Sequence, residues 1–359
     1  MKLLVCAGGT GGGVYPALVV LERLESELTL DVLWVGSEGG MEAELVTRTG
    51  VNYTNIPAAG LHGVGFKALP GNFVRLIRGY GAARKVVQKF NPDVMFFTGG
   101  YVAGPVALAG RKVPAAIYVP DIEPGLALKL LARFADRIAV TAEDSRAYFS
   151  QKDRVVVTGY PVRPSLSKWD FDEAYRVFDF SSELPTLLVT GGSLGALSIN
   201  NVLTESLPKL LSEMQIVHLT GSNTWDRFKS VSASLDEQYR ARYKAFPYLH
   251  EEMGAAFTIA DLVVSRAGAS SIGEYPRFGI PAILVPYPHA WRYQKINADY
   301  LTQQGAAITL IDEDLSEQLV PLILNLIRDS GQRETMSRKM QSLACQDAAG
   351  QIAAQLTEL

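Results

Sequence analysis

Two glycine clusters, half a chain apart, follow short apolar runs. Gly8-Gly9-Thr10-Gly11-Gly12 comes after Lys2–Ala7, and Gly191-Gly192-Ser193-Leu194-Gly195 comes after Thr186–Thr190. A buried strand that enters a glycine-rich turn and then a helix presents free backbone N–H groups at the positive helix end, which suits a diphosphate. A third small-residue turn, Ser265-Arg266-Ala267-Gly268-Ala269-Ser270-Ser271-Ile272-Gly273-Glu274, follows the run Leu262–Val264. Glu274 falls one turn into the helix that begins near Ser270. A carboxylate there can accept both hydroxyls of a ribose, or it can simply complement the helix dipole. Gln294 and Asn297 are spaced to share a helix face. They are hydrogen-bonding groups for sugar hydroxyls or ordinary surface polar residues.

Other patterns are weaker. Asp170-Phe171-Asp172 has the Asp-x-Asp form of a metal site, but it precedes Glu173-Ala174-Tyr175. Acidic residues in a first helical turn explain it better, so no metal is expected. His62, His218, His250 and His289 lack zinc spacing.

The positioning elements alternate. Strand candidates in the first half are Lys2–Ala7, Asp31–Val35, Val94–Thr98, Ala115–Val119, Arg137–Val140 and Val155–Val157. The second half offers Thr186–Thr190, Ile216–Leu219, Lys244–Phe246, Leu262–Ser265, Ala282–Val285 and Ala307–Leu310. Helical periodicity fills the gaps, for example Tyr15–Leu28 and Gly125–Phe134. Apolar strands separated by amphipathic helices make parallel sheets covered on both faces. The fold class is therefore α/β, with two Rossmann-like doubly wound domains, residues 1–160 and 161–340, facing a shared cleft. Pro161 and Pro164 break regular structure at the border. The last helical stretch, about Ser330 to Leu359, either stays on the second domain or, over about 340–359, folds back onto the first. Periodicity does not choose.

The 359 residues are 48% hydrophobic and 20% charged, an ordinary globular balance. A formal charge of −3 argues against bulk nucleic-acid binding. Cys6 and Cys345 read as inert core thiols in a reducing compartment. A strand that begins at residue 2 leaves no room for a signal peptide before it. From Leu45 to Pro92 there is no Asp or Glu, yet the window holds Arg48, Lys67, Arg75, Arg78, Arg84, Lys85 and Lys89. About Asn72 to Phe90 reads as an amphipathic helix. The basic and apolar set Phe66, Lys67, Leu69, Phe73, Arg75 and Arg78 reads as a contact for an anionic membrane.

The ordered set Gly8–Gly12, Thr98-Gly99-Gly100-Tyr101, Gly159–Arg163, Gly191–Ala196, Ser265–Glu274 and Gln294-x-x-Asn297-Ala298 resembles the MurG-type glycosyltransferases of the glycosyltransferase-B fold. The resemblance runs nearly the whole chain. It implies inverting transfer of N-acetylglucosamine from UDP-N-acetylglucosamine to undecaprenyl-diphospho-muramoyl-pentapeptide. The expected setting is peptidoglycan synthesis, peripheral on the cytoplasmic face of the cell membrane. It implies donor contacts from Thr10, Gly11, Gly12, Asp121, Arg163, Ser193, Ala269, Ser270, Ser271, Ile272, Gly273, Glu274 and Gln294, and an acceptor loop at Gly99, Gly100 and Tyr101. No cofactor is implied.

Two departures fall in the first half. Gly13 stands where the family has His, and Tyr118-Val119-Pro120-Asp121 stands where it has His-Glu-Gln-Asn. With the histidines gone, Asp121 and Glu123 are the carboxylates available to take the acceptor proton, or else solvated loop residues. Two other functions compete: a same-fold transferase acting on another lipid or polyprenyl acceptor, and a nucleotide-sugar-binding protein without turnover.

Overall fold

The computed structural model describes residues 1–8, 11–40, 42–58, 69–289 and 293–359, with side chains omitted for 69–74. The chain divides into two compact units, Met1–Val162 with Cys345–Leu359, and Arg163–Ala344.

The first unit holds a seven-stranded parallel sheet in the order β3-β2-β1-β4-β5-β6-β7. The strands are β1 (Lys2–Cys6), β2 (Asp31–Ser37), β3 (Asn52–Ile56), β4 (Val94–Phe97), β5 (Ala115–Val119), β6 (Arg137–Val140) and β7 (Val155–Val157). Helices α1 (Gly11–Glu25), α2 (Glu42–Thr47), α3 (Leu69–Phe90), α4 (Ala103–Ala109) and α5 (Leu126–Leu131) connect them. α3 packs on α4 and α4 on α5, whereas α1 packs on α2. Right-handed crossovers from a central β1 put these two sets on opposite faces. Central strands read as unbroken apolar runs because both their faces are covered. Leu4, Cys6, Phe97, Ile117 and Val140 are almost fully buried against Val106, Leu128 and Leu131.

The expected C-terminal helix is two helices, Ser330–Ser342 and Ala348–Thr357. The break has a local cause. Asp347 starts a new helix by accepting a bond from the Gly350 N–H at 3.0 Å. The last helix packs on α1. Cys345 lies in the break, half-buried, and its Sγ contacts the Thr158 carbonyl at 3.1 Å. It is therefore not the core thiol expected; Cys6 is fully buried.

The second unit holds a six-stranded parallel sheet in the order β10-β9-β8-β11-β12-β13. The strands are β8 (Thr186–Thr190), β9 (Gln215–Leu219), β10 (Tyr243–Phe246), β11 (Leu262–Ser265), β12 (Ala282–Leu284) and β13 (Ala307–Thr309). One core cluster joins Leu187, Val189, Ile216, Leu262 and Ile283 to Ile199, Leu203, Leu319 and Ile323. In each sheet the strand order reverses once, between β1 and β4 and between β8 and β11. Open α/β sheets bind ligands outside the carboxyl ends of the strands at such a reversal.

Candidate active site

In the second unit the glycine turn Gly191–Gly195 leaves β8, and the turn Arg266–Ser270 leaves β11. Both sit at the strand-order reversal. Gly192 and Gly195 adopt φ of 80° and 87°, left-handed values that favour glycine. A bond from the Gly195 N–H to the Gly192 carbonyl at 3.0 Å closes the turn. The helix Leu197–Glu205 that follows has no side-chain cap, and neither has Ser271–Phe278 after β11. An uncapped first turn can offer N–H donors to an anion, although after β11 the Ser271, Ile272 and Gly273 N–H groups donate to the Gly268, Ala269 and Ser270 carbonyls at 3.0, 3.1 and 3.1 Å.

Ala269, Ser271, Ile272 and Gly273 are buried. The Ser271 hydroxyl is already committed to the Gly268 carbonyl at 2.6 Å. Ser193 is exposed and Ser270 half-buried. Glu274 is half-buried beside them. Burial pushes its carboxyl up to about 7, against the opposing pull of Arg163 and a hydrogen bond from Ser270.

Two expected sugar ligands prove different from one another. Gln294 is half-buried and its Oε1 accepts the Tyr287 N–H at 2.8 Å. Asn297 corrects the sequence reading: it is fully buried, and its amide donates to the Ala267 carbonyl at 3.1 Å. It holds the Arg266–Ser270 turn from beneath instead of reaching a sugar. The Asp170 carboxylate accepts the Glu173 N–H at 2.8 Å and caps the helix Phe171–Phe178, which accounts for the Asp-x-Asp pattern as a helix start.

In the first unit Gly8 and the loop Thr98–Tyr101 meet at the reversal between β1 and β4. A Cβ on Gly100, whose φ is 88°, would lie 3.2 Å from the Gly8 nitrogen. Gly11 and Gly12 open α1, while Thr10 lies outside the described residues. Tyr101 is 60% exposed. Gly13 is buried in α1, and its carbonyl accepts the Thr98 hydroxyl at 2.7 Å. A Cβ at position 13 would sit 3.3 Å from both the Thr98 carbonyl and its hydroxyl, so Thr98 must yield before a larger residue fits.

Tyr118 is fully buried, its hydroxyl 2.9 Å from that of Thr141, and burial pushes its phenol well above the usual range. It is no proton acceptor. The two carboxylates separate clearly. Glu123, expected as a base or a solvated residue, is 1% exposed and paired with the Lys129 ammonium at 2.6 Å. The pair ties the loop that leaves β5 to α5. Asp121 is half-buried in the loop that leaves β5.

Family models match both halves: the glycosyltransferase family 28 N-terminal domain over residues 3–140 and its C-terminal domain over 186–352. The chain belongs to glycosyltransferase family 28, in its MurG-type group. A relative from Roseiflexus sp. (strain RS-1) is 37% identical, covering 98% of this chain and 94% of the relative. One from Desulforamulus reducens is 36% identical over 98% and 97%. Both are named UDP-N-acetylglucosamine–N-acetylmuramyl-(pentapeptide) pyrophosphoryl-undecaprenol N-acetylglucosamine transferase. In fold, the chain matches the crystal structure of Acinetobacter baumannii MurG with a TM-score of 0.76 at 24% identity, over 100% of this chain and 99% of that one. UDP-GlcNAc 2-epimerase from Neisseria meningitidis, solved with UDP-GlcNAc, matches with a TM-score of 0.69 at 15% identity, over 100% of each chain. The two parallel-sheet units are thus the glycosyltransferase-B architecture, and the transferase is UDP-sugar-dependent.

Three features of the transferase escaped the sequence reading. Arg266 donates to the Val285 carbonyl at 3.2 Å, the Pro286 carbonyl at 3.3 Å and Ser198 Oγ at 2.9 Å, and pairs with Asp312. It ties together the loops that leave β12 and β13 and the helix after the glycine turn. Its place inside the quoted Ser265–Glu274 motif was the available signal. Glu42 is buried, accepts the Ser37 N–H at 2.8 Å, and lies 3.1 Å from where a Gly8 Cβ would be. The third is an exposed apolar stripe, Leu126, Leu130 and Phe134, on and just beyond α5. Its spacing of four was legible within the helical stretch Gly125–Phe134.

Proposed function

We propose that the transferase moves N-acetylglucosamine from UDP-N-acetylglucosamine onto undecaprenyl-diphospho-muramoyl-pentapeptide, with inversion and without a metal, in peptidoglycan synthesis. The carrying observation is the pair of uncapped turns at the β8/β11 reversal with Glu274 beside them. Glu274 takes the ribose hydroxyls. Gly191–Gly195, Ser193, the Ala269–Gly273 backbone and Arg163 take the diphosphate, and Gln294 serves the sugar. Backbone donors and a guanidinium stabilise charge developing on the leaving UDP, so the chemistry has no step that requires a cation. An acceptor hydroxyl attacks the anomeric carbon, and the C–O bond to UDP breaks. Asp121 is the proposed base, because Glu123 is committed to Lys129. Gly99, Gly100 and Tyr101 bear on the acceptor.

The acceptor's polyprenyl tail stays in a bilayer, so the first unit is proposed to rest on the anionic inner face of the cell membrane. Phe66 and Lys67 lie outside the described residues, and Leu69 and Phe73 are placed only as backbone of α3. Arg75 and Arg78 are exposed on that helix, beside Ile77 at 58% exposure. The support widens along α3, α4 and α5. A cleft of about 720 Å³ is lined by Tyr80, Arg84, Leu108, Arg111 and Lys112, and the Leu126–Phe134 stripe carries Arg133. Apolar groups that insert among cations that pair with lipid phosphates suit such a surface. Among the described residues no helix is long and apolar enough to cross a membrane.

The test is transfer itself: UDP-N-acetylglucosamine with the lipid-linked acceptor should yield UDP and a glycosylated lipid. Glycosylation of another polyprenyl lipid in preference would redirect the acceptor assignment.

A further inference from the structure

Beneath the Gly191–Gly195 turn lies a chain of buried polar side chains with no direct access to a ligand. Asn200 on the helix Leu197–Glu205, His218 on β9 and Tyr243 on β10 are each at most 1% exposed. The Asn200 amide nitrogen donates to the Thr220 carbonyl at 2.9 Å and to Thr224 Oγ1 at 3.1 Å. A carbonyl only accepts, so the amide oxygen must face His218, whose Nε2 is 3.0 Å away. Nε2 therefore carries the proton. Nδ1 then accepts from the Tyr243 hydroxyl at 2.8 Å. Burial pushes His218 down to about 3 and keeps the ring neutral, while its two hydrogen-bond partners select the tautomer.

The far end of this chain grips the turn. A Cβ on Gly195 would fall 2.1 Å from the Thr220 carbonyl, and one on Gly221 would fall 2.1 Å from Gly195 N and Cα. Ser222 donates to the Ser193 carbonyl from both its N–H and its hydroxyl, each at 3.0 Å. The segment 220–224 is thus the floor of the turn, and Asn200 holds that floor through a donor pair that His218 and Tyr243 orient.

We propose that Asn200, His218 and Tyr243 form a positioning assembly that sets the shape of the Gly191–Gly195 turn and, through it, the grip on the donor diphosphate. The inference depends on the reading above of that turn as the diphosphate cradle. None of the three touches the ligand. Their effect is transmitted as geometry, because backbone donors bind phosphate oxygens only when aligned. The nucleoside is held elsewhere, at Glu274, so the assembly should act on the phosphates alone.

The experiment compares UDP with uridine by calorimetry for the wild-type chain, His218→Leu, His218→Gln and Tyr243→Phe. His218→Leu should weaken UDP about tenfold, the scale of one buried hydrogen bond, and leave uridine unchanged. His218→Gln, which can donate to Asn200 and accept from Tyr243, should restore most of the UDP affinity. Tyr243→Phe keeps the ring, loses one hydroxyl and should give a smaller loss of the same kind; it carries the test where His218→Leu does not fold. Equal losses for UDP and uridine, or unchanged affinities with only a lower Tm, would show a merely structural network and overturn the inference alone. If wild-type protein binds uridine as tightly as UDP, the diphosphate cradle itself is wrong and the inference falls with it.

Discussion

The second unit braces the turns that leave β8 and β11 from below, whereas in the first unit the polar groups around the turns that leave β1 and β5 are tied to one another. Around β8 and β11, Asn297 holds the Arg266–Ser270 turn through the Ala267 carbonyl, and Arg266 ties in the loops that leave β12 and β13. Around β1 and β5, the Thr98 hydroxyl binds the Gly13 carbonyl, Tyr118 is sealed against Thr141, and Glu123 is spent on Lys129. Preorganised donors serve a charge that is the same for every acceptor, while the group that takes the proton can be replaced by any carboxylate within reach. The donor half should therefore behave like its relatives, and the acceptor half should depend on a different residue.

The sharpest way to break this contrast is Asp121→Asn. A general base contributes about 10²–10⁴-fold, so kcat should fall by about that much while UDP affinity holds. An unchanged kcat in a transfer assay removes Asp121 from the chemistry. Next in size is Glu274→Ala, which should weaken UDP by about 1.5–3 kcal/mol on calorimetry; unchanged affinity would leave the carboxylate a helix-dipole residue.

The raised Glu274 carboxyl adds a pH signature. Ribose hydroxyls donate to the ionised form, so UDP affinity should fall as pH drops through about 7. The loss should be about tenfold from pH 8 to pH 6, and Glu274→Gln should lack it. Stability runs the other way. A carboxyl whose folded value exceeds its unfolded one favours folding below the unfolded value, and that benefit is lost as pH rises through about 7. Glu274→Gln should therefore stabilise the ligand-free protein at pH 8 by at most about 2 kcal/mol after solvent screening, read as a higher Tm. A lower Tm there would show that the ionised carboxylate is well solvated.

How much of this was legible depended on what each residue faces. Central strands announced themselves by unbroken apolar runs, and Ala115–Val119 and Arg137–Val140 were placed to the residue. β3, Asn-Tyr-Thr-Asn-Ile, was missed because an edge strand covered on one side needs no apolar run. Asn297 and Glu123 could not be placed, since burial of a polar group depends on partners distant in sequence (Ala267) or hidden by helix phase (Lys129). The break at Asp347 was masked because helix-forming residues flank it on both sides.

Smaller effects sharpen the acceptor half. Charge reversal at Lys67, Arg75 and Arg78 should cost about 1 kcal/mol or more per site in sedimentation with anionic vesicles at low salt, with no change on neutral ones. Equal binding by the variant would make the patch ordinary surface. Thr98→Val should lower stability by only about 1 kcal/mol in denaturant unfolding, because it removes one buried bond to the Gly13 carbonyl.

The most direct test of the account is a single assay. The chain is incubated with UDP-N-acetylglucosamine and undecaprenyl-diphospho-muramoyl-pentapeptide in excess chelator, and the lipid product and released UDP are measured together. One N-acetylhexosamine added per UDP released, with inverted anomeric configuration and undiminished by the chelator, is the predicted result. Intact UDP binding with no sugar on the lipid, or transfer that returns only with magnesium or manganese, would contradict it.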